Sequence, residues 1–312
     1  MIKKNIFGDS LKEKLKARNK DRIYKFLLAG GDIRGAIVHG TCLVNEMRAN
    51  HELGVLETLV LGHAYLAGML MSANLKGEDR LSMLIECSGP IKGLVVEANA
   101  FGEVRGYLKN IPIPVDHPLE DFNLSPFFGA GFISVNRSLK DAKQPFTGRI
   151  MMEYGSIAKD LANYFMTSEQ IPTSFNLSLN FDSNGEVNGA GGLFLQVMPG
   201  ADEEMVDGLE SMVRDLPSIG ELFSGTGTPR DVVMNAFKSL DPQFLDDYRV
   251  EFMCHCNQDS ISNMLSMLPF EDLKDIYENG PFPVEIQCHN CNTNYEFTQT
   301  HIEKIFRKRY TH

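Results

Sequence analysis

An excess of basic residues is missing from this chain: 30 lysines and arginines stand against 41 aspartates and glutamates, a formal charge of −11. That sign argues against duplex nucleic acid as a partner, because phosphate binding wants positive surface. An apolar leader is missing too. Met1-Ile-Lys-Lys-Asn, followed by Lys12, Glu13, Lys14 and Lys16, contains no h-region, so no secretory signal is predicted. The longest stretch without charge, Thr58 to Leu75, meets the minimum length of a membrane span, but Gly62, His63, Gly68, Ser72 and Asn74 interrupt it. It is read as a buried central helix. There is no nucleophile elbow, HExxH or GxGxxG, and the run Gly189-Ala-Gly-Gly192 lacks the Lys-Ser/Thr of a phosphate loop. No repeat or low-complexity tract is evident. These absences predict a folded cytosolic protein that binds rather than catalyses.

The residues that are present point to an α+β chain. Apolar residues make up 43% and charged residues 23%, and 312 residues suffice for one large or two modest domains. Residues 52–75 carry dense apolar character at helical spacing. Strand-like runs follow at Leu81–Cys87, Ile91–Glu97 and Glu103–Leu108, punctuated by Gly89-Pro90 and by residues 99–102, which predicts an antiparallel meander. Phe128–Val135 and Gly148–Glu153 read as further strands. A helix is predicted from Ser156, with Ile157, Leu161, Tyr164 and Phe165 on one face. Ser174–Phe181 alternates cleanly, Asp182-Ser-Asn-Gly185 turns the chain, and Gly192–Met198 returns it. The mixed sheet and helix core is expected to cover residues 1–198.

Pro199-Gly200 marks a change. From Ala201 to Glu251 there are twelve acidic and four basic residues, a net of −8. Met205, Val206, Leu209, Met212, Val213 and Leu216 share one helical face, and Val232, Val233, Ala236, Phe237 and Leu240 share another after Pro229. Ser224-Gly-Thr-Gly-Thr-Pro229 breaks the two apart. Short helices are marginal alone, so residues 199–248 are predicted to be an acidic, amphipathic helical linker that docks or melts. Residues 249–312 then form a small third domain. Arg249–Met253 leads as a strand into Cys254, Asn257 caps a helix through Met267, Phe270–Tyr277 is a second helix, and Val284–Gln287 leads into Cys288. Lys304, Arg307, Lys308 and Arg309 read as a solvated basic face.

That last domain holds four of the six cysteines, as Cys254-His-Cys256 and Cys288-His-Asn-Cys291, with 31 residues between the pairs. Four convergent thiols suit tetrahedral zinc, and about sixty residues gain from a metal staple. Such a site can be an inert staple, its commoner use. It can also be a switch whose thiols pair as disulfides once an oxidant strips the metal. His255 and His289 flank ligands and are read as non-ligands that tune the thiolates. Cys42 and Cys87 lie in apolar runs and read as buried small hydrophobes, and His39, His51, His63 and His117 as structural.

Cys254-x-Cys256, the long spacer and Cys288-x-x-Cys291 together resemble the heat shock protein 33 family of redox-regulated holdases. The resemblance extends to Arg80-Leu-Ser-Met with Gly89-Pro90, Gly102-Glu-Val-Arg-Gly-Tyr107, Asp160-Leu-Ala-Asn-Tyr-Phe165 with Ser168-Glu-Gln-Ile-Pro172, and Gly191–Gly200, so it spans essentially the whole chain. It implies an ATP-independent cytosolic chaperone, inactive while Cys254, Cys256, Cys288 and Cys291 hold zinc. By the same resemblance, oxidation links Cys254 to Cys256 and Cys288 to Cys291, releases zinc, unfolds the metal domain and linker, and favours a homodimer bound to unfolding client proteins. Met205, Val206, Leu209, Met212, Val232 and Phe237 are the expected client-binding face, adaptable and apolar. The competing reading is a zinc-ribbon nucleic-acid adaptor with a purely structural zinc. A third, a thiol oxidoreductase using Cys288-x-x-Cys291, lacks the expected βαβ context.

Overall fold

The computed structural model describes residues 1–6, 10, 17, 19–115, 123–202, 208 and 211–310. Met205, Val206 and Leu209 of the expected client face lie outside these, as do Lys12, Glu13, Lys14, Lys16 and His117. The chain opens with two strands that periodicity does not announce, β1 (Arg22–Leu28) and β2 (Ile33–His39), followed by helices α1 (Thr41–His51) and α2 (Val55–Ser72). The meander is β3 (Arg80–Cys87), β4 (Gly93–Asn99) and β5 (Glu103–Leu108). A single turn, α3 (Ser125–Phe128), precedes β6 (Gly131–Ser138) and β7 (Phe146–Met151). Helix α4 (Ile157–Tyr164) starts after Ser156 as expected, and the hairpin β8 (Thr173–Phe181) and β9 (Val187–Val197) follows.

Sheet order explains the burial. Strands β3 to β7 belong to a six-stranded sheet ordered β5-β4-β3-β6-β7 with one further strand outside β5, while β1, β2, β9 and β8 are neighbours in a five-stranded sheet. Helix α2 packs between the two sheets, so its residues are buried almost all the way round. It is long and apolar enough to cross a membrane by length and composition, yet 89% of that stretch is buried inside the fold. A helix sandwiched between layers has no polar face to keep, which is why its pattern is uniformly apolar. The inner layer joins Val38, Leu61, Tyr65, Leu70, Met83, Val96 and Phe194 into one core.

The other face of the five-stranded sheet is covered by the acidic stretch. Helix α5 (Ile219–Ser224) and helix α6 (Pro229–Ala236) lay Ile219, Phe223, Val232, Val233 and Phe237 onto Phe26, Ile37, Leu193 and Leu195. The Thr228–Asp231 capping box starts α6. The stretch ends in a strand, β10 (Gln243–Arg249), which pairs antiparallel with β1 and completes the sheet. Asp246 and Asp247 hide that strand from a reading of pattern; in place they meet Lys25 and Arg22. The Arg230 guanidinium lies 4.4 Å from the Phe244 ring centroid, tying α6 to β10. The glycines at 189–192 are where the sheet admits α5. A Cβ at Gly189 would stand 1.9 Å from the Gly220 carbonyl oxygen, so bare backbone on both sides permits the approach.

Candidate metal centre

The last segment begins at β11 (Glu251–Phe252), which pairs parallel with β5 as the sixth strand of its sheet. The Glu251 N–H donates to the Gly102 carbonyl at 2.8 Å and the Met253 N–H to the Val104 carbonyl at 3.0 Å. Cys254 therefore leaves the core sheet at a fixed point. Beyond Cys256, Asn257 caps helix α7 (Gln258–Ser266) through a capping box with Ser260, and α8 (Phe270–Asn279) follows. Strands β12 (Val284–Gln287) and β13 (Asn294–Phe297) form a hairpin whose loop is Cys288 to Thr293. The Cys291 and Asn292 N–H groups both donate to the Cys288 carbonyl, at 3.3 and 2.7 Å, which folds that loop into a knuckle. The basic residues Lys304 to Arg309 lie on a closing helix, α9 (Gln299–Tyr310). The small core is Ile261, Leu265, Tyr295, Phe297 and Ile302.

Cys254, Cys256, Cys288 and Cys291 meet, with all four sulfurs within 4.8 Å of one another. Cys254 and Cys288 sulfurs are 3.8 Å apart and those of Cys256 and Cys291 are 3.3 Å apart. Four sulfurs each ~2.3 Å from a tetrahedral ion lie roughly 3.8 Å from one another, so the donor set can hold a metal ion of that size and softness. Cys254 and Cys291 are buried, while Cys256 and Cys288 keep partial access to solvent. The hydrogen bond shared with Cys288 holds the Cys254 thiol well below its ordinary range, and the same bond pushes Cys288 up to about 11. The Arg105 guanidinium, 3.6 Å from the Cys254 sulfur, adds a positive partner from the core. Tyr295 donates its hydroxyl to the Cys256 sulfur at 3.2 Å, and the Thr293 hydroxyl lies 3.2 Å from the Cys291 sulfur.

His255 and His289 face the core. The His255 Nε2 lies 2.8 Å from a Glu103 carboxylate oxygen, and the His289 ring packs 5.5 Å from that of Tyr107. Cys42 is buried and Cys87 half-buried, both apart from the cluster. His39 is also buried, with Nδ1 3.1 Å from Asp21 and its ring 4.6 Å from that of Phe223 on α5. Of the expected client face, Val232 and Phe237 are buried against the five-stranded sheet, and Met212 is half-buried in the same cluster.

Sequence reasoning gave no signal for Asn50. Asp21 fixes the start of α1 by accepting the Leu43 N–H at 2.6 Å, and Asn50 sits near the helix's other end, 2% exposed. Its Nδ2 donates to the Cys291 carbonyl at 3.0 Å and to the Ile2 carbonyl at 2.9 Å, while its Oδ1 accepts the Lys4 N–H at 2.9 Å. The Asn50 carbonyl accepts from Asn292 Nδ2 at 3.0 Å. One buried amide thus ties the cysteine knuckle, the first residues and the core helix together. Asn50→Ala removes the side-chain bonds and leaves the buried Cys291 carbonyl without that donor, at a cost of about 1–3 kcal/mol. The expected result is at least tenfold faster zinc transfer to a chromophoric chelator. An unchanged rate would show that the knuckle does not depend on Asn50.

A cluster of four thiols able to hold a metal ion, set against an α+β core, defines the class of protein. A family model described as "Hsp33 protein" matches residues 21–298, and the chain belongs to that family of chaperones. It is 34% identical over 291 residues to the 33 kDa chaperonin of Desulforamulus reducens, covering 93% of this chain and 98% of that one. It is 34% identical over 292 residues to the 33 kDa chaperonin of Ruminiclostridium cellulolyticum, covering 92% and 98%. The crystal structure of the 33 kDa chaperonin from Thermotoga maritima matches with a TM-score of 0.84 at 31% identity, over 94% of this chain and 100% of that one.

Proposed function

We propose that this chain is a cytoplasmic, redox-regulated, ATP-independent holdase: a binding protein that captures unfolding proteins only after its cysteines are oxidised. The observation that carries the reading is the join between two features. A cluster of four thiols begins at Cys254, and the strand β10 that ends the docked linker stops one residue before β11 leads into it. In this proposal, melting of the cysteine module frees β11 from β5 and, through it, the β10 end of the linker.

In this reading the parts are a core (1–198), a linker (199–248) and a redox module (249–312). Cys254, Cys256, Cys288 and Cys291 hold zinc in the reduced, inactive form. Zinc, when bound, keeps the thiolates ionised at neutral pH and supplies most of the module's folding free energy. Hypochlorite takes two electrons from each cysteine pair. One S–S bond forms between Cys254 and Cys256 and another between Cys288 and Cys291, and each hypochlorous acid molecule leaves as chloride and hydroxide. Disulfide sulfurs no longer serve as thiolate ligands. The module, whose own apolar core is small, then loses its staple. Release of the linker uncovers Leu193, Leu195 and Ile37 on the sheet, together with the linker's Met212, Val232 and Phe237. These apolar groups, with Met205, Val206 and Leu209, are the surface offered to clients. The open form pairs as a homodimer.

Metal analysis tests the first step. The reduced protein is expected to carry one zinc per chain, and hypochlorite to release it as four thiols disappear from a thiol titration. Zinc retained after the thiols are lost would overturn the ligand assignment. Changing Met212 and Phe237 to Ser is expected to weaken client capture by the oxidised form; untouched capture would remove them from the client surface.

A further inference from the structure

Away from the cysteines, a cavity of about 490 Å³ opens between the C-terminal end of α2, the inner face of the five-stranded sheet and the β6–β7 hairpin. Pockets of roughly 300–1,000 Å³ are the size that takes small organic ligands. The polar groups in this one are held in place. The Arg34 Nε donates to Gln196 Oε1 at 2.7 Å; Gln196 is 1% exposed, and its Nε2 donates to Thr173 Oγ1 at 3.0 Å. Arg137 pairs with Glu169 at 2.6 Å and stacks over Phe165 at 5.6 Å.

Two guanidiniums, Arg34 and Arg137, and two carboxylates, Glu169 and Asp79, line the cavity, and the Glu169 charge acts on Arg34 as well. Arg137 already engages Glu169. The other acidic lining residue, Asp79, accepts backbone N–H groups of Lys140 and Lys76, at 2.9 and 3.3 Å. Arg34 has a neutral amide as its hydrogen-bond acceptor, and burial together with Arg137 pushes the guanidinium down from its usual range. A half-buried cation beside a like charge is costly unless an anion joins it.

The wall opposite is built to leave room. Residues 165–169 form a π-turn, a feature frequent at functional sites, which continues α4 and places Ser168 and Glu169 on the cavity. Gly148 of β7 lies directly beneath: a Cβ there would come within 2.6 Å of both the Tyr164 hydroxyl and the Ser168 hydroxyl. Burial holds the Tyr164 phenol up at about 12, and its hydroxyl is bonded within the wall, to Glu169 and Ser168. At the rim Phe146 is 63% exposed, a flat apolar surface beside a polar floor.

We propose that this cavity binds a small organic phosphate carrying a flat ring, with the phosphoryl group on Arg34 and the ring against Phe146. The guanidinium fork suits a tetrahedral oxyanion, and an exposed aromatic at the rim suits stacking. The size corresponds to a nucleoside monophosphate.

The test is isothermal titration calorimetry of the full-length, reduced, zinc-loaded protein with adenosine monophosphate, inorganic phosphate and adenosine as probes. The monophosphate is expected to saturate one site, at least tenfold tighter than phosphate or adenosine alone. Arg34→Gln is expected to weaken it tenfold or more. Phe146→Ser, on an exposed side chain that leaves the fold intact, is expected to weaken the monophosphate while leaving phosphate unchanged. Monophosphate binding weaker than about 1 mM, or binding that both substitutions leave unaltered, would overturn the proposal.

Discussion

A Gly189→Val variant is expected to suppress aggregation of a heat-unfolding client while still reduced and zinc-loaded, to the level of the oxidised parent. The added Cβ would lie 1.9 Å from the Gly220 carbonyl oxygen and 2.7 Å from the Ser224 nitrogen. Those are backbone atoms of α5, which cannot rotate aside as a side chain would, so the helix must lift. Valine itself suits a strand, and β9 can keep its pairing. Lifting α5 withdraws Ile219 and Phe223 from the sheet, at about 1.5–3 kcal/mol for each side chain exposed. Limited proteolysis should then cut within 219–240 in the variant and not in the parent. If the helix is released by that criterion and the reduced variant still captures nothing, uncovering the sheet face is not what activates the protein. The variant leaves the cysteine cluster intact, and that separation gives it its value.

Cys291→Ser is the second large effect. Its sulfur is fully buried, and serine offers a harder, un-ionised oxygen in place of a thiolate. Zinc contributes on the order of 10–16 kcal/mol of apparent binding energy to small finger domains, so under the proposed four-thiol coordination losing one thiolate exceeds what this module's few apolar contacts supply. Metal content is expected to fall from one per chain to near zero in the presence of a chelator. Hydrogen exchange should become fast across 258–310 while α2 and β9 stay protected. Cys42→Ser, at a buried position apart from the cluster, is the matched control and should retain its metal. Full metal retention by the Cys291 variant would show that the four sulfurs do not act as one site.

Much of this architecture was legible in the chain. Alternation marked β8, strand-like runs between turn signals marked β3 and β5, the apolar face from Ile157 marked α4, and Asn257 marked the cap of α7, because each rests on a local rule. The cysteine cluster was legible from spacing alone. What stayed hidden depends on partners distant in sequence. Strand β2 is buried on both faces, by α2 within and by α5 and α6 outside, and so shows no period of two. Strand β10 carries Asp246 and Asp247, and only β1 across the ladder makes it a strand. The glycine run at 189–192 was visible as a motif, but its use needs the knowledge that α5 lies over it. Asn50 is a middling helix residue until the chain folds and brings Ile2, Lys4 and the cysteine knuckle around it.

The most direct test of the redox switch is light scattering of a thermally unfolding client mixed with this protein in two states, reduced with zinc and oxidised with hypochlorite. The switch predicts that the oxidised form alone suppresses scattering, and that reductant with zinc restores the silent state. Equal behaviour of the two forms would contradict it and leave the four cysteines as a structural staple.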